Sequence, residues 1–122
     1  MQNTQGIVLF AHGSRDPGWR MSIEAVRSEI ERSRPEVQVL CAYLELCEPT
    51  LQHAVQSLVT QGLRSVRIVP MFLGTGRHAR EDLPVLVAAL QDEHPSLTIA
   101  LQRPIGEDPR LTALMAHIAC GD

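Results

Sequence analysis

The chain has 122 residues, 44% of them hydrophobic and 20% charged, with a formal net charge of −3. That composition belongs to a globular chain rather than a disordered one, and the acidic balance (pI near 5.9) argues against a nucleic-acid partner. No apolar run approaches the ~18 residues of a membrane span, and Cys41, Cys47 and Cys120 form neither a disulfide framework nor a zinc-finger spacing.

Strands and helices alternate along the chain, read here as one domain over residues 1–122. The opening "MQNTQG" lacks the basic and apolar regions of a secretory leader, so a cytoplasmic location is expected. "GIVLFA" (6–11) reads as a buried strand, short, continuous and β-branched. "DPGWRMSIEAVRSEIERSRP" (16–35) reads as a helix, with Ile23, Val26 and Ile30 on one face, start signals at Asp16 and Pro17 and a stop at Pro35. "EVQVLCAYLEL" (36–46) is the second strand. "EPTLQHAVQSLVTQG" (48–62) is the second helix, burying Leu51, Val55, Leu58 and Val59 and ending on Gly62.

"SVRIVPMFL" (65–73) is the third strand, its end marked by Pro70, since proline cannot donate to a central ladder. "HAREDLPVLVAALQDEHP" (78–95) is helical, and Pro84 implies a kink or a late start near Asp82. "LTIAL" (97–101) is the fourth strand. "EDPRLTALMAHIACGD" (107–122) closes the sequence as a helix started by Asp108 and Pro109. Such alternation gives an α/β fold with a four-stranded parallel sheet and helices on both faces, a three-layer sandwich.

In open α/β sheets, ligands bind beyond the carboxyl ends of the strands. Those ends carry His12, Gly13, Ser14 and Arg15 after strand one, and Glu45 and Glu48 after strand two. They carry Gly74, Thr75, Gly76, Arg77 and His78 after strand three, and Arg103, Pro104 and Gly106 after strand four. All open on one rim, so His12, Glu45 and His78 can converge. Two imidazoles and a carboxylate suit a borderline divalent ion such as Fe, Co or Ni, and so few protein ligands leave coordination positions open.

"AHGSRDP", "YLELCEPTL", "PMFLGTGRHAREDLP" and "RPIGEDPRL" together resemble the signatures of the class II tetrapyrrole chelatases, the CbiX-type sirohydrochlorin cobaltochelatases and ferrochelatases. The resemblance runs over nearly the whole chain and implies a chelatase-like (flavodoxin-like) fold. The implied reaction inserts Co2+, Fe2+ or Ni2+ into sirohydrochlorin on the way to cobalamin or sirohaem. The ion is substrate, and no permanently bound cofactor is implied. By the same resemblance His12 and His78 match the family's metal-binding and proton-accepting histidines, and Glu45 matches its acidic residue. Long members carry two such domains in tandem; short ones are homodimers, which the resemblance implies here.

The chemistry agrees with that reading. A neutral imidazole can be ligand first and proton acceptor next. The glycines of "GTG" let backbone approach a flat macrocycle, and Leu44, Leu46, Met71 and Phe72 offer an apolar wall. Ser14, Arg15, Gly74, Thr75, Gly76, Arg77 and Arg80 are the candidate binders of the macrocycle and its carboxylates, helped by helix-start N–H groups. Plainer readings stand beside these. His53, His94 and His117 fit structural roles within or at the end of helices, and Ser14 can serve only to cap a turn. Glu48 competes with Glu45 for the carboxylate role, Arg77 and Arg80 can pair with Glu81 or Asp82, and Trp19 is packing or a lid. Two other functions compete: a metal-delivery protein needs the same ligands, whereas a histidine phosphatase wants an arginine directly before its histidine, and here that residue is Ala11.

Overall fold

The structure, a computed structural model, describes residues 5–121 apart from the side chain of His78. Its strands are β1 (Gln5–Ala11), β2 (Gln38–Tyr43), β3 (Ser65–Pro70) and β4 (Thr98–Leu101). Its helices are α1 (Met21–Ser33), α2 (Leu51–Thr60), α3 (Arg77–Glu93) and α4 (Pro109–Ala119), and short 3-10 turns span Pro17–Arg20 and Ile105–Glu107. The strands form one sheet in the order β2-β1-β3-β4, and every pairing is parallel. Leu9 in the central β1 stands opposite Cys41 on β2 and Val69 on β3.

Side chains alternate across a strand, so β1 feeds two cores. Val8 and Phe10 face one side, where α2 and α3 bury Leu51, Val55, Leu58 and Leu90 together with Ile68. Leu9 and Ala11 face the other, where Ile23 of α1 meets Val39, Cys41 and Tyr43. The expected three-layer α/β sandwich is the observed one. Burial pushes the Cys41 thiol up to about 12, which leaves it a small apolar core residue. No helix among the described residues is long and apolar enough to cross a membrane.

Three boundaries differ from the sequence reading. The segment after Asp16 opens as a 3-10 turn, with the Asp16 carboxylate accepting from the Gly18 N–H, before α1 begins at Met21. β2 ends at Tyr43 rather than residue 46, because the chain bends there and the Tyr43 N–H turns to the Pro49 carbonyl at 2.9 Å. β3 stops at Pro70. α3 runs Arg77–Glu93 against the expected 78–95, and of the two readings of Pro84 the late start near Asp82 is excluded, since the proline lies inside the helix. The carbonyl that Pro84 leaves without a partner belongs to Arg80; both residues are exposed, so water can serve it and the helix survives.

α4 starts as expected. The Asp108 carboxylate accepts from the Arg110 N–H at 2.8 Å, and Pro109 follows the cap. The Arg110 guanidinium, hydrogen-bonded to the same carboxylate, holds Asp108 down at about 2. A carboxyl depressed in the fold adds stability above its unfolded value, ~3.9, and loses it as pH falls toward the folded one. Acid titration followed by circular dichroism should therefore show α4 helicity persisting at pH 4 and being lost toward pH ~2. An Asp108→Asn variant should lack that step.

Candidate functional site

The carboxyl edge of the sheet is built by backbone pairing that outlasts the strands. The Leu44 N–H donates to the Ala11 carbonyl at 2.9 Å, and the Glu45 N–H to the His12 carbonyl at 3.1 Å. This carries the β1–β2 register two residues beyond the sheet and sets His12 beside Glu45. Their side chains meet, His12 Nε2 lying 3.3 Å from Glu45 Oε1, with more than half of each exposed. Close approach of the two loops requires glycine after the histidine. Gly13 has φ +106°, and a Cβ there would lie 1.8 Å from the Glu45 carbonyl oxygen.

Phe72 steadies the histidine from β3's side. It sits edge-on to the His12 ring at 6.5 Å, and its other flank packs edge-on against Phe10 in the core at 6.2 Å. Beyond Phe72, Gly74 and Gly76 lead into α3, whose first N–H groups have no partner within the helix and face an anion well.

These pieces enclose an open cavity of about 560 Å³. Its polar groups are His12, Glu45, Arg77 and Asp82, its apolar ones Leu44, Phe72 and Ala79, and Gly74 and Gly76 supply bare backbone. A cavity of similar size, about 530 Å³, lies at the opposite edge of the sheet around Arg64, His94 and Ser96. It offers one imidazole and no carboxylate, so the carboxyl-edge cavity is the one equipped for a cation.

Of the residues singled out from sequence, the structure brings His12, Glu45, Gly74, Gly76 and Arg77 to this cavity. His78 lies in the first turn of α3; its side chain is outside the described residues. Arg77 also pairs with Glu81 at 3.1 Å. Thr75 and Arg80 line a smaller neighbouring cavity with Gln102 and Pro104. The Ser14 hydroxyl accepts from the Asp16 N–H at 3.0 Å, a turn cap, and Arg15 stands exposed beside it. Glu48 faces His53 at 3.4 Å, leaving Glu45 as the partner of His12.

Two expected members of the apolar wall are elsewhere. Met71 falls on the α1 side of the sheet, and Leu46, half exposed with φ 70°, does not line the cavity. Asp82 was not singled out for the site. The signal existed: it lies four residues after His78, on the same face of a helix. A helix over 78–95 carries that spacing; a late start near Asp82 does not.

A family model described as CbiX matches residues 6–119. A sirohydrochlorin cobaltochelatase from Methanopyrus kandleri is 29% identical over 129 residues, covering 89% of this chain and 90% of that protein. A sirohydrochlorin ferrochelatase from Bacillus subtilis is 29% identical over 117 residues, covering 93% of this chain but 43% of that protein. The chain thus spans less than half of the Bacillus relative and nearly all of the archaeal one. Among solved structures, a cobalamin-biosynthesis CbiX protein from Marinobacter aquaeolei superposes with a TM-score of 0.83 at 36% identity, covering 96% of this chain and 95% of that one. The sirohydrochlorin chelatase SirB from Bacillus subtilis subspecies spizizenii, solved in complex with cobalt, gives a TM-score of 0.77 at 30% identity, covering 96% of this chain and 49% of that one.

Proposed function

The chain belongs to the CbiX family, and on that premise we infer that it is a chelatase inserting a divalent ion, Co2+, Fe2+ or Ni2+, into sirohydrochlorin or a close relative. The observation that carries this reading is the exposed His12–Glu45 pair, 3.3 Å apart, at the mouth of the carboxyl-edge cavity.

Insertion exchanges two pyrrole N–H protons for one M2+ ion. The ion arrives as substrate and is partly stripped of water by a protein nitrogen; the protons then need acceptors at the same place. An imidazole fills both roles in turn. In this assignment His12, with His78 opposite it on α3, holds the ion and then takes a proton. Glu45 orients the His12 ring and offers the proton an onward acceptor. Phe72 and Leu44 give the flat ring an apolar surface, and Gly74 and Gly76 let it approach closely. Arg77 and the N-terminus of α3 face the carboxylates of the macrocycle, while Ser14, Arg15, Thr75 and Arg80 are assigned to its periphery.

We further infer that the working unit is a homodimer. One such domain offers one wall to a macrocycle, and SirB is about twice the length matched here.

The test is metallation of sirohydrochlorin by the purified protein with free cobalt in excess, followed by absorbance. The expected result is a rate well above the protein-free reaction. A carrier would give no acceleration under these conditions, and a phosphatase no metallated product. Glu45→Gln should slow the reaction by roughly 10–100-fold, the usual cost of losing a residue that orients a metal-ligating histidine. In the wild-type protein the rate and the cobalt affinity should fall together on acidification, because protons and metal compete for the same imidazole nitrogen. A rate indifferent to pH, with insertion shown to be the slow step, would contradict the assignment of the bases.

A further inference from the structure

The carboxyl-edge cavity carries carboxylates on two walls, Glu45 from the loop after β2 and Asp82 from α3. Glu45 has His12 as its partner at 3.3 Å. Asp82 has no hydrogen-bond or ion-pair partner among the described residues. The cations closest to it in sequence are engaged or placed elsewhere: Arg77 pairs with Glu81 at 3.1 Å, and Arg80 lines the neighbouring cavity. The surface ion pair that the sequence allows for Asp82 is therefore not formed.

Helix formation gives no reason for the residue either. The N-cap of α3 is Gly76 and the unpaired N–H groups belong to its first turn. Asp82 stands in the second turn, where N–H groups bond within the helix. Aspartate in a helix interior is mildly unfavourable, because its side chain competes for the backbone. The edge of the macrocycle does not account for it: a carboxylate facing carboxylates is repelled, and only a cation or an N–H donor is drawn to it. Among the described residues no three His, Cys, Asp or Glu side chains are grouped so as to hold an ion, so Asp82 does not complete a ligand set with His12 and Glu45.

Position 78 is what remains. Ala79 and Asp82 both line the cavity, which fixes the face of α3 turned toward it. Residue 78 precedes Asp82 by four and so shares that face one turn earlier. Residues at this spacing have Cβ atoms about 5–6 Å apart, within the span of a hydrogen bond between an imidazole and a carboxylate. A metal-ligating histidine almost always gives its second ring N–H to a carboxylate, a carbonyl or water, which fixes the ring and raises its basicity.

We propose that Asp82 is the positioning carboxylate of His78, as Glu45 is of His12, so that each histidine of the site has its own acid. Asp82 has this role only if His78 is a ligand, as inferred above. The two pairs differ in build. His12 and Glu45 are brought together by sheet register across two strand ends, whereas residues 78 and 82 are brought together by helical periodicity along one element. Arg77, already engaged by Glu81, does not compete for the Asp82 carboxylate.

The test is a set of double-mutant cycles on the whole chain, read first as affinity for cobalt alone by titration calorimetry. Asp82→Asn keeps the shape of the side chain and removes its charge. It should weaken cobalt binding roughly 10–100-fold, the usual cost of losing such a partner, with an unchanged melting temperature. In the metallation assay it should raise KM for cobalt and leave KM for sirohydrochlorin as it was. In a His78→Ala background Asp82→Asn should cause no further loss of cobalt affinity, and in a Glu45→Gln background it should cost its full factor. A full loss in the His78→Ala background would overturn the pairing, since Asp82 would then act without the histidine. Wild-type cobalt affinity in Asp82→Asn, or a rise in KM for sirohydrochlorin alone, would overturn it as well. A His78→Ala protein with wild-type cobalt affinity would overturn both the histidine's assignment and this one. The cycles on cobalt affinity decide the role of Asp82 whatever the metallation assay says of the chelatase reading.

Discussion

His12→Ala is expected to lower metallation by at least ~100-fold while leaving the fold intact, the loss typical of removing a positioned proton acceptor. Removing a metal ligand with it can only add to that loss. The side chain stands beyond the last residue of β1, more than half exposed, so truncation opens no core cavity. What disappears is the imidazole held between Glu45 and the Phe72 edge. Initial rates with excess cobalt, with circular dichroism as the control, measure it. His78→Ala carries the same expectation from its place in the first turn of α3. A folded His12→Ala protein with a near-normal rate would remove the histidine from the chemistry.

Gly13→Ala should cost both stability and rate, though residue 13 touches neither ion nor macrocycle in this assignment. A positive φ imposes about 1–3 kcal/mol on a residue with a Cβ. The added carbon would also sit 1.8 Å from the Glu45 carbonyl oxygen, and that neighbour is backbone, which cannot swing aside. The loops after β1 and β2 must then part, breaking the Glu45 N–H to His12 carbonyl bond and separating the two side chains. Thermal unfolding should show a melting point lower by several degrees, and the remaining folded protein should bind cobalt more weakly. Unchanged cobalt affinity in the folded variant would mean that Glu45 and His12 do not need each other.

How much of this was legible in the sequence follows from what each signal reports. Alternating β-branched runs and i, i+3, i+4 stripes reveal which elements exist, because burial enforces those periods, and the order of strands and helices then implies the parallel sheet. The rim is legible as well: in a parallel sheet every strand delivers its last residues to the same edge, so the strand order alone brings His12 and Glu45 to one place. Boundaries were less legible. β2 stops at Tyr43 because the chain bends from Leu44 onward and Leu46 turns to positive φ; neither is written in the apolar pattern of "YLEL". Pro84 leaves a kink or a late start near Asp82 open in the sequence; its missing N–H costs little where the freed carbonyl is wet, so the helix runs through it from Arg77. Met71, read as part of the cavity wall, lies two residues after Val69 and so shares its face, the α1 side of the sheet.

The central claim is that the ion being inserted is held at the end of β1. Cobalt soaked into crystals of the active protein and located by anomalous scattering tests this most directly. The account predicts a cobalt peak within coordination distance of His12, on the cavity side of Glu45, and loss of that peak in His12→Ala. A fully occupied cobalt site elsewhere, with the His12 ring unliganded in protein that still metallates sirohydrochlorin, would contradict it.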